Sequence, residues 1–503
     1  MSARAGKRGC VNLYDREVKF DEFRQRVRRH TPTTLLPLIA SRAREKLPRA
    51  SWYEAPKVET PWGLAAAARA SLLYGSEHRQ PATRDDVEPI CAAFASLKML
   101  RPQAPIEELR AFFLRTSYQQ LTYQSEVGYD VARSVAMFRD SLTAVAPTTL
   151  TPDVLAQVLG GTVVEFVGTG WLLFASAMTN DGIFLDEWID RPQFRDVIAD
   201  LPAPTLRALI ERSFAADIAA QRSDGLAHAT DCRADVQREA FAYNPLQSRP
   251  LVTLAAGRYV IPSPLLLLRR ITTTGIYYAA MAALGPSIGT DLGAVFEHYV
   301  GRQLAQVPGA RLIPEITYGR EHKRTVDWFL ILDDMLVLVE VKAPRLTEAA
   351  RMGDDVELTS DLDRTIGKAR GQIDRTAALL AEPPDELIAA GVPTDRPVRG
   401  LIVTLEPYYL VHSPLIAPLL PASATLTTTA SVHDVEHMVR IARGGVAFAD
   451  QLRRVQDDAE LATWSPLAGV LKGWPEAAGD NPILDQAGDE LPWRDQMAAR
   501  KAG

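Results

Sequence analysis

One stretch in the second half of the chain constrains the fold more than any other part of the sequence. Two apolar and partly β-branched runs, Val326 to Leu332 and Met335 to Lys342, flank the pair Asp333-Asp334. Such runs favour strands, and Asp tolerates the left-handed backbone conformation that a tight turn requires. The pattern therefore predicts a β-hairpin with a two-residue loop, in which Leu332 pairs with Met335.

The predicted register places two acidic side chains opposite each other. Counting outward from the loop, Asp327 pairs with Glu340; a symmetric four-residue loop gives the same pairing, whereas a three-residue loop breaks it. The Cβ atoms of direct cross-strand partners lie about 4.5–5.5 Å apart, and like charges there are destabilising. A shared Mg²⁺ ion removes that repulsion, because it binds carboxylate oxygens. Side chains alternate along a strand, so Lys342 shares the face of Glu340 while Val341 points away.

Two interpretations without a metal ion compete with this one. An E-x-K pattern occurs by chance on exposed strand faces, but Leu336 to Val339 indicate a strand that is buried on both sides. A buried carboxylate without a partner is costly. A structural ion pair of Lys342 with Glu340 or with Asp327 accounts for one acid and leaves the other unexplained. The metal site is therefore the favoured interpretation.

The constellation D-x12-E-V-K across a hairpin resembles the PD-(D/E)XK nuclease superfamily, which has the restriction-endonuclease-like fold. Upstream, DLGAVFEHYVGRQL has apolar residues near helical spacing. Downstream, a helix is predicted from Asp363 to Leu380 and a strand from Val398 to Leu405. The order helix, hairpin, helix, strand is that of the family's core, and the resemblance covers roughly residues 285–443. Val326 stands where the motif's name has proline.

The resemblance implies hydrolysis of phosphodiester bonds. Asp327, Glu340 and the main-chain carbonyl of Val341 would hold Mg²⁺, with Mn²⁺ able to substitute for it. Lys342 would stabilise negative charge on the attacking water or the scissile phosphate. Glu297 matches the acidic residue of the family's first helix and would complete a second metal site. A solvated helix face is the alternative role for Glu297.

Polar and basic residues near the motif are candidates for substrate contacts. Lys368 and Gln372 lie four residues apart, hence on one face of the predicted helix, where they would orient the substrate or its phosphate. The segment YGREHKR brings Arg320, Lys323 and Arg324 just before the Asp327 strand, as suits a DNA backbone. A solvated helix face and a solvated hairpin flank are the alternatives.

The chain of 503 residues is long enough for several domains. The predicted fold class is multidomain, with a mostly α-helical N-terminal region and an α/β restriction-endonuclease-like core that has a mixed central sheet. The predicted divisions are a helical region over 1–245, whose arm at 1–50 is basic, a hairpin and connecting helix over 246–285, the nuclease-like domain over 286–455, and a helix end with an irregular tail over 456–503. Within the first division we expect one helix from Pro204 to Gln221, and either a strand or a buried helix from Val163 to Ala177.

The net charge of −6 is not typical of a nucleic-acid-binding protein. Residues 1–50 nevertheless carry 13 Lys or Arg and 5 Asp or Glu. This arm could contact phosphates, although a solvated terminus is the favoured interpretation. An acidic protein can still bind DNA, since only the contacting surface must neutralise phosphates.

Three scattered cysteines, Cys10, Cys91 and Cys232, form neither a disulfide framework nor a zinc pattern, which favours a reducing, cytoplasmic location. No apolar run reaches the roughly 18 residues of a membrane span, so no membrane partner is expected.

Two classes of function follow. The favoured one is a Mg-dependent endonuclease acting most readily on DNA, in defence against foreign DNA or in repair; the architecture alone suggests these two roles. The alternative is a catalytically inactive nuclease-fold module that binds nucleic acid or protein. Further partners that suit the architecture are a second copy of the chain, forming a homo-oligomer, or a protein of a defence or repair system.

Overall fold

The computed structural model describes residues 18–47, 58–97, 100, 103–121, 127–228, 236–458 and 479–491. Helices dominate the described part of the chain. In chain order, the α-helices are α1 Phe20–Val27, α2 Pro32–Lys46, α3 Pro61–Tyr74, α4 Val87–Ala95, α5 Ile106–Gln120, α6 Val127–Val135, α7 Leu142–Val145, α8 Pro152–Leu159, α9 Val163–Thr179, α10 Arg195–Asp200, α11 Ala203–Leu209, α12 Ile218–His228, α13 Val236–Glu239, α14 Pro264–Ile271, α15 Thr273–Leu284, α16 Gly289–Leu304, α17 Glu348–Arg351, α18 Asp355–Leu362, α19 Lys368–Leu379, α20 Asp385–Ala389, α21 Val432–Arg443, α22 Phe448–Asp457 and α23 Pro482–Asp489.

The strands of the described residues form three sheets. Their order is β1-β4-β3-β2 in one sheet, β11-β10-β9-β8-β5 in the largest, and β6-β7 in a small hairpin. The strands are β1 Ile183–Leu185, β2 Ala215–Asp217, β3 Leu251–Ala255, β4 Arg258–Val260, β5 Arg311–Pro314, β6 Thr317–Tyr318, β7 Lys323–Arg324, β8 Trp328–Leu332, β9 Met335–Lys342, β10 Val398–Thr404 and β11 Thr427–Ser431.

The chain divides into two compact units. One comprises Met1–Gln103 and Thr169–Arg270, and the other comprises Ala104–Gly168 and Ile271–Gly503. This division differs from the predicted boundaries, because residues 104–168 join the unit that holds the predicted nuclease-like segment. The coarse fold class holds: helices predominate, and they accompany mixed sheets.

The first unit contains most of the early helices and the four-stranded sheet. The hairpin β3–β4 was predicted, and Gly257 in its loop has a φ of +68°. The prediction of one helix from Pro204 to Gln221 is wrong. Helix α11 ends at Leu209, and β2 runs from Ala215 to Asp217 before α12 begins. β2 pairs with β3, so a tertiary partner overrides the local helical pattern.

Of the predicted basic arm, residues 1–17 and 48–50 lie outside the described residues.

The second unit is built on the mixed five-stranded sheet. Strands β9, β10 and β11 are parallel, whereas β8 is antiparallel to β9 and β5 is antiparallel to β8. On one face, Leu336 and Leu338 pack in a core cluster with Ile366 and Ile373, which belong to the α18–α19 segment. Trp328 points to the opposite face, where its ring contacts Gly301 of α16. Helices therefore cover both faces of the sheet.

The hairpin that organised the sequence is confirmed, including its two-residue loop. Leu332 pairs with Met335, and Trp328 pairs with Val339 at the far end. In β9 every residue from Met335 to Val341 is buried, and only the last residue, Lys342, is partly exposed. The strand is therefore buried on both faces, as its continuous apolar run indicates.

Several helix ends form where side-chain chemistry favours them. Thr60 and Thr151 accept hydrogen bonds from the N–H groups of Gly63 and Val154, each at a helix that begins with proline. Ser431 forms a capping box with Asp434 at the start of α21. The ambiguous segment 163–177 lies in helix α9.

The C-terminal region predicted to be irregular contains helix α23. Asn481 caps it by accepting a hydrogen bond from the N–H of Leu484, and Pro482 occupies its first position. Leu484 and Ala487 are buried. The remainder of the predicted tail, 459–478 and 492–503, lies outside the described residues.

The connecting segment, which was predicted as one helix, consists of α14 and α15, which are separated at Thr272.

One helical stretch of the described residues, Pro152–Thr179, is apolar and long enough to cross a membrane by length and composition. Its mean hydropathy is 1.6 and 44% of the window is buried. The stretch is not one regular helix, because Gly160, with a φ of +83°, ends α8 before α9 begins. Phe166 and Val167 are fully buried. Packed core helices share these properties, so the stretch alone does not indicate a span.

Candidate active site

Acidic side chains from neighbouring strands form one row at the end of the main sheet. Trp328 is the direct partner of both Pro314 on β5 and Val339 on β9. Glu315, Asp327 and Glu340 are the next residues beyond these pairs, and Asp327 interacts electrostatically with each of the other two carboxyl groups. The predicted strand began at Val326, whereas β8 begins at Trp328, so Asp327 lies just outside the paired part of the hairpin. Three acidic side chains thus lie near one another, of which the sequence predicted two.

Asp327 is held in place by backbone hydrogen bonds around it. The N–H of Val341 donates to Oδ2 of Asp327 over 2.6 Å. The N–H of Val326, just before Asp327, donates to Oγ1 of the buried Thr376 over 3.1 Å. The N–H and C=O of a residue in an antiparallel ladder point to the same neighbour, so the Val341 carbonyl also points toward the Asp327 side. That direction suits the ligand role predicted for this carbonyl.

The buried Glu340 and the partly buried Lys342 form an ion pair on the same strand face. Lys342 Nζ donates to Oε1 of Glu340 over 2.6 Å and to Oε1 of Gln372 over 3.0 Å. The second oxygen of Glu340, Oε2, is buried and has no hydrogen-bond partner, and the residue is 1% exposed. An ion pair therefore satisfies only half of this carboxylate. The predicted proximity of Gln372 to the motif is a feature of the structure.

The carboxyl groups resist ionisation at this end of the sheet. Burial, then repulsion from Asp327, raises the pKa of Glu340 to about 8, against the opposing effect of Lys342. Burial, then repulsion from Asp327 and Glu315, raises the pKa of Glu297 to about 7. Burial also raises the pKa of Asp327, although the Val341 N–H and Lys342 lower it. The site holds more acidic groups than its own cationic side chains neutralise.

Helix α16 brings Glu297 to the site from the other face of the sheet. A Cβ atom at Gly301 would overlap the indole ring of Trp328, so the helix approaches β8 closely at this point. Glu297 lies one helical turn before Gly301 and hence on the same side of α16. Trp328 is adjacent to Asp327, which explains why Asp327 and Glu297 repel each other. Glu297 therefore lies close enough to Asp327 for their charges to interact, and its metal-binding role stays a prediction.

A divalent cation fits the chemistry of these residues. Carboxylate oxygens and a main-chain carbonyl are the ligands that Mg²⁺ and Mn²⁺ prefer. The buried Oε2 of Glu340 supplies an oxygen that has no hydrogen-bond partner among the described residues. Among these residues, no three His, Cys, Asp or Glu side chains are already gathered around a common point. Oδ2 of Asp327 and Oε1 of Glu340 already accept hydrogen bonds from Val341 and Lys342.

The basic residues predicted to contact nucleic acid occupy two positions. Arg320 is exposed in the turn between β6 and β7, and the exposed Lys323 pairs with Glu321 at 2.7 Å. Arg324 pairs with Glu315 at 3.1 Å and its side chain is 72% exposed. The β6–β7 hairpin therefore brings basic groups beside the acidic row. Lys368, the first residue of α19, is exposed and makes no ion pair within the described chain.

The sequence interpretation missed Glu315 and Thr376. Glu315 follows the short run Arg311–Pro314, which forms edge strand β5. A four-residue run that ends in proline is a weak strand signal. Glu315 nevertheless follows apolar residues directly, as Asp327 follows Val326. Thr376 acts through a buried backbone contact, for which the sequence gives no local indication.

No protein-family model matches this chain, and no curated protein matches its sequence.

Proposed function

We propose that the second unit is a metal-dependent nuclease with a core of the PD-(D/E)XK type. The observation that carries the proposal is the arrangement at the end of the main sheet. Asp327 accepts a hydrogen bond from the N–H of Val341, the residue after Glu340, and Lys342 is hydrogen-bonded to both Glu340 and Gln372. The order of α16, β8–β9, α19 and β10 agrees with the family's core, and β5 and β11 extend the sheet on its two sides.

In this proposal Asp327, Glu340, the Val341 carbonyl and Glu297 hold Mg²⁺ or Mn²⁺. When bound, the cation favours ionisation of water and offsets the negative charge that builds on the phosphate. Lys342 places its ammonium group beside that charge and stabilises the transition state. Gln372 holds Lys342 through its Nζ atom and so fixes the direction of the ammonium group.

DNA is the proposed substrate, and cleavage within the strand is the proposed reaction. Arg320, Lys323 and Arg324 are exposed next to the acidic row, where they are suited to contact backbone phosphates. Lys368 extends this basic character along α19. The proposal places the chain in defence against foreign DNA or in repair, in a cytoplasmic setting, with a second copy or another protein as a further partner.

A cleavage assay tests the proposal directly. Wild type, Asp327→Asn and Lys342→Ala are incubated with supercoiled plasmid, linear duplex, single-stranded DNA and RNA, in Mg²⁺, in Mn²⁺ and in EDTA. We expect metal-dependent nicking or cutting of DNA by wild type and a loss of at least about 100-fold in both variants. Asp334→Asn is the matched control, because Asp334 lies in the loop of the same hairpin and its side chain is 59% exposed.

The outcomes separate the enzyme from the binding module. Full activity in Lys342→Ala would contradict the assignment of the active site. DNA binding without cleavage, together with no binding of Mn²⁺, would favour the inactive nuclease-fold module. Preferential cutting of RNA would keep the chemistry and correct the substrate.

A further inference from the structure

Two histidines of helix α21 face each other, on a helix that contributes no residue to the candidate active site. His433 and His437 are four residues apart, so their side chains lie one above the other on the same side of the helix. Their Nε2 atoms are 3.2 Å apart and their ring centroids are 4.5 Å apart. Both side chains are partly exposed, so the pair is accessible from solvent.

The separation of the two nitrogen atoms fits a single metal ion. Zn–N bonds are about 2.0–2.1 Å long, so two nitrogen ligands of one ion lie about 2.9 Å apart at a right angle and about 3.3 Å apart at the tetrahedral angle. The observed 3.2 Å lies between these two values. One ion can therefore take both Nε2 atoms as ligands without a change in the separation of the rings. The hydrogen bond between the two imidazoles is then given up, because a neutral imidazole can carry its proton on Nδ1 and leave Nε2 free for a metal ion.

The backbone of α21 holds the two rings in this arrangement. The side chain of Ser431 accepts a hydrogen bond from the N–H of Asp434 in the capping box at the start of the helix. Val435 and Met438 anchor the helix in the core, and each is 0% exposed. A helix that is fixed at its start and along its buried side keeps the rings together before an ion arrives. This arrangement lowers the entropic cost of binding the ion.

The charged groups near the pair balance one another. Arg440 and Arg133 interact electrostatically with His437, and Asp130 does so with the opposite sign. Arg133 is itself paired with Asp130 and with Glu436. These two cationic and two anionic side chains together carry no net formal charge, so they do not repel a cation as a group.

The ligand set indicates which class of ion fits and that the ion is bound rather than used in catalysis. Imidazole nitrogens suit Zn²⁺, Ni²⁺ and Cu²⁺, whereas Mg²⁺ prefers oxygen ligands. Among the described residues, no third His, Cys, Asp or Glu side chain joins the pair, so the other coordination positions are open to water. Glu436 lies between the histidines in the sequence, but it is 1% exposed and is held by Arg133 and Tyr299. Glu436 is therefore not placed to act as a base on water bound to the ion.

We infer that His433 and His437 chelate one divalent transition-metal cation of the class of Zn²⁺, Ni²⁺ and Cu²⁺. The inference does not depend on the proposed nuclease activity, because the two sites use different ligand chemistry and different elements. Glu436 of the same helix binds Arg133 of α6 and Tyr299 of α16. An ion that binds only the folded form of α21 therefore stabilises the second unit by mass action.

Competition for Zn²⁺ against a chromophoric chelator tests this inference on the full-length protein, in excess Mg²⁺ and under reducing conditions. We expect a Zn²⁺ site on wild type, and a loss of at least about 10-fold in its affinity in His433→Asn and in His437→Asn, since each variant removes one of the two ligands. His78→Asn changes an exposed histidine of the other unit and is the matched control, which should bind as wild type does. Zn²⁺ should also raise the Tm of wild type, and should raise that of the two α21 variants less.

Pulsed electron paramagnetic resonance of wild type loaded with one equivalent of Cu²⁺ counts the imidazoles on the ion and requires no variant. Two coupled imidazoles are the expected result, and none or one would overturn the inference.

The zinc measurements can overturn it in three further ways. Wild-type affinity in either His433→Asn or His437→Asn would exclude the chelate, and so would the absence of a Zn²⁺ site on wild type. An equal loss of affinity in His78→Asn would show that the effect is not specific to the pair. Circular dichroism in EDTA checks that each variant is folded, and the Cu²⁺ measurement on wild type decides the question where a variant is not.

Discussion

The carboxyl of Glu340 couples the stability of the protein to pH and to metal. Its pKa in the folded chain is about 8, against an ordinary value of 4.5. A carboxyl whose folded pKa is raised favours folding when protonated. That contribution is complete below about pH 4.5 and is lost as the pH rises through about 8. The ion-free protein therefore becomes less stable over this interval, because its buried carboxylate must then carry charge.

Thermal unfolding in EDTA measures this effect. We expect the Tm of wild type to fall between pH 6 and pH 9, and that of Glu340→Gln to fall less, since its amide cannot ionise. Mn²⁺ should raise the Tm of wild type more at pH 9 than at pH 6, because its ligands must lose their protons to bind it. Identical pH profiles for wild type and Glu340→Gln would show that Glu340 is not the group responsible.

Gln372 is expected to act by positioning Lys342. Its Oε1 is 3.0 Å from Lys342 Nζ, and replacement by leucine leaves the ammonium group with Glu340 alone. Loss of a supporting hydrogen bond of this type typically costs about 10–100-fold in activity. We expect that loss in kcat for Gln372→Leu, with KM and Mn²⁺ affinity within about threefold. Arg375→Leu, an exposed residue of the same helix to which no substrate contact is assigned, should retain kcat. A change confined to KM would instead assign Gln372 to substrate binding.

At the scale of elements, two glycines of α16 have opposite expected effects. At Gly301 a Cβ atom would overlap the Trp328 ring, whereas at Gly293 no atom lies within 4 Å. We expect Gly301→Ala to destabilise the protein by about 1–3 kcal/mol through overpacking. Gly293→Ala should stabilise it by up to about 1 kcal/mol, because alanine favours a helix interior. Urea unfolding measures both, and equal effects would show that α16 does not depend on this close approach.

The strands and helices also show which features of the site could be predicted from the sequence. The two-residue loop of the hairpin follows from a local pattern of strand residues around Asp333-Asp334, so the proximity of Asp327 to Glu340 was predictable. The capping box of Ser431 is local in the same sense. Edge strand β5 depends on pairing with β8, and its four residues carry too little pattern of their own. Glu315 was missed for that reason.

At the scale of the whole molecule, the second unit is assembled from two separate stretches of sequence. Arg133 of α6 binds both carboxylate oxygens of Glu436 at 2.5 Å, and both residues are buried. Tyr299 of α16 donates to the same carboxylate over 2.6 Å. Arg110 and Arg115 of α5 donate to the main-chain carbonyls of Leu415 and Met352. Contacts between residues so far apart in the sequence produce no local sequence pattern. The sequence interpretation therefore placed residues 104–168 in the N-terminal helical region.

This assembly predicts that the segment 286–455, which the sequence delimits as a domain, does not fold stably alone. Removing Arg133 leaves the buried Glu436 charge unpaired, and breaking such a pair costs about 3–5 kcal/mol out of a typical total of 5–15. We expect segment 286–455 to lack a cooperative unfolding transition and to be digested rapidly by protease.

Segments 104–168 and 271–491, expressed together, should co-purify and unfold cooperatively, whereas Glu436→Ala in the longer segment should weaken their association. Because Glu436 and the acidic row lie on elements of one unit, recovery of Mn²⁺ binding in the co-expressed pair alone would show that α5 and α6 are part of the structure that supports the active site. Cooperative unfolding and Mn²⁺ binding by 286–455 on its own would instead show that the residues 104–168 are dispensable to it.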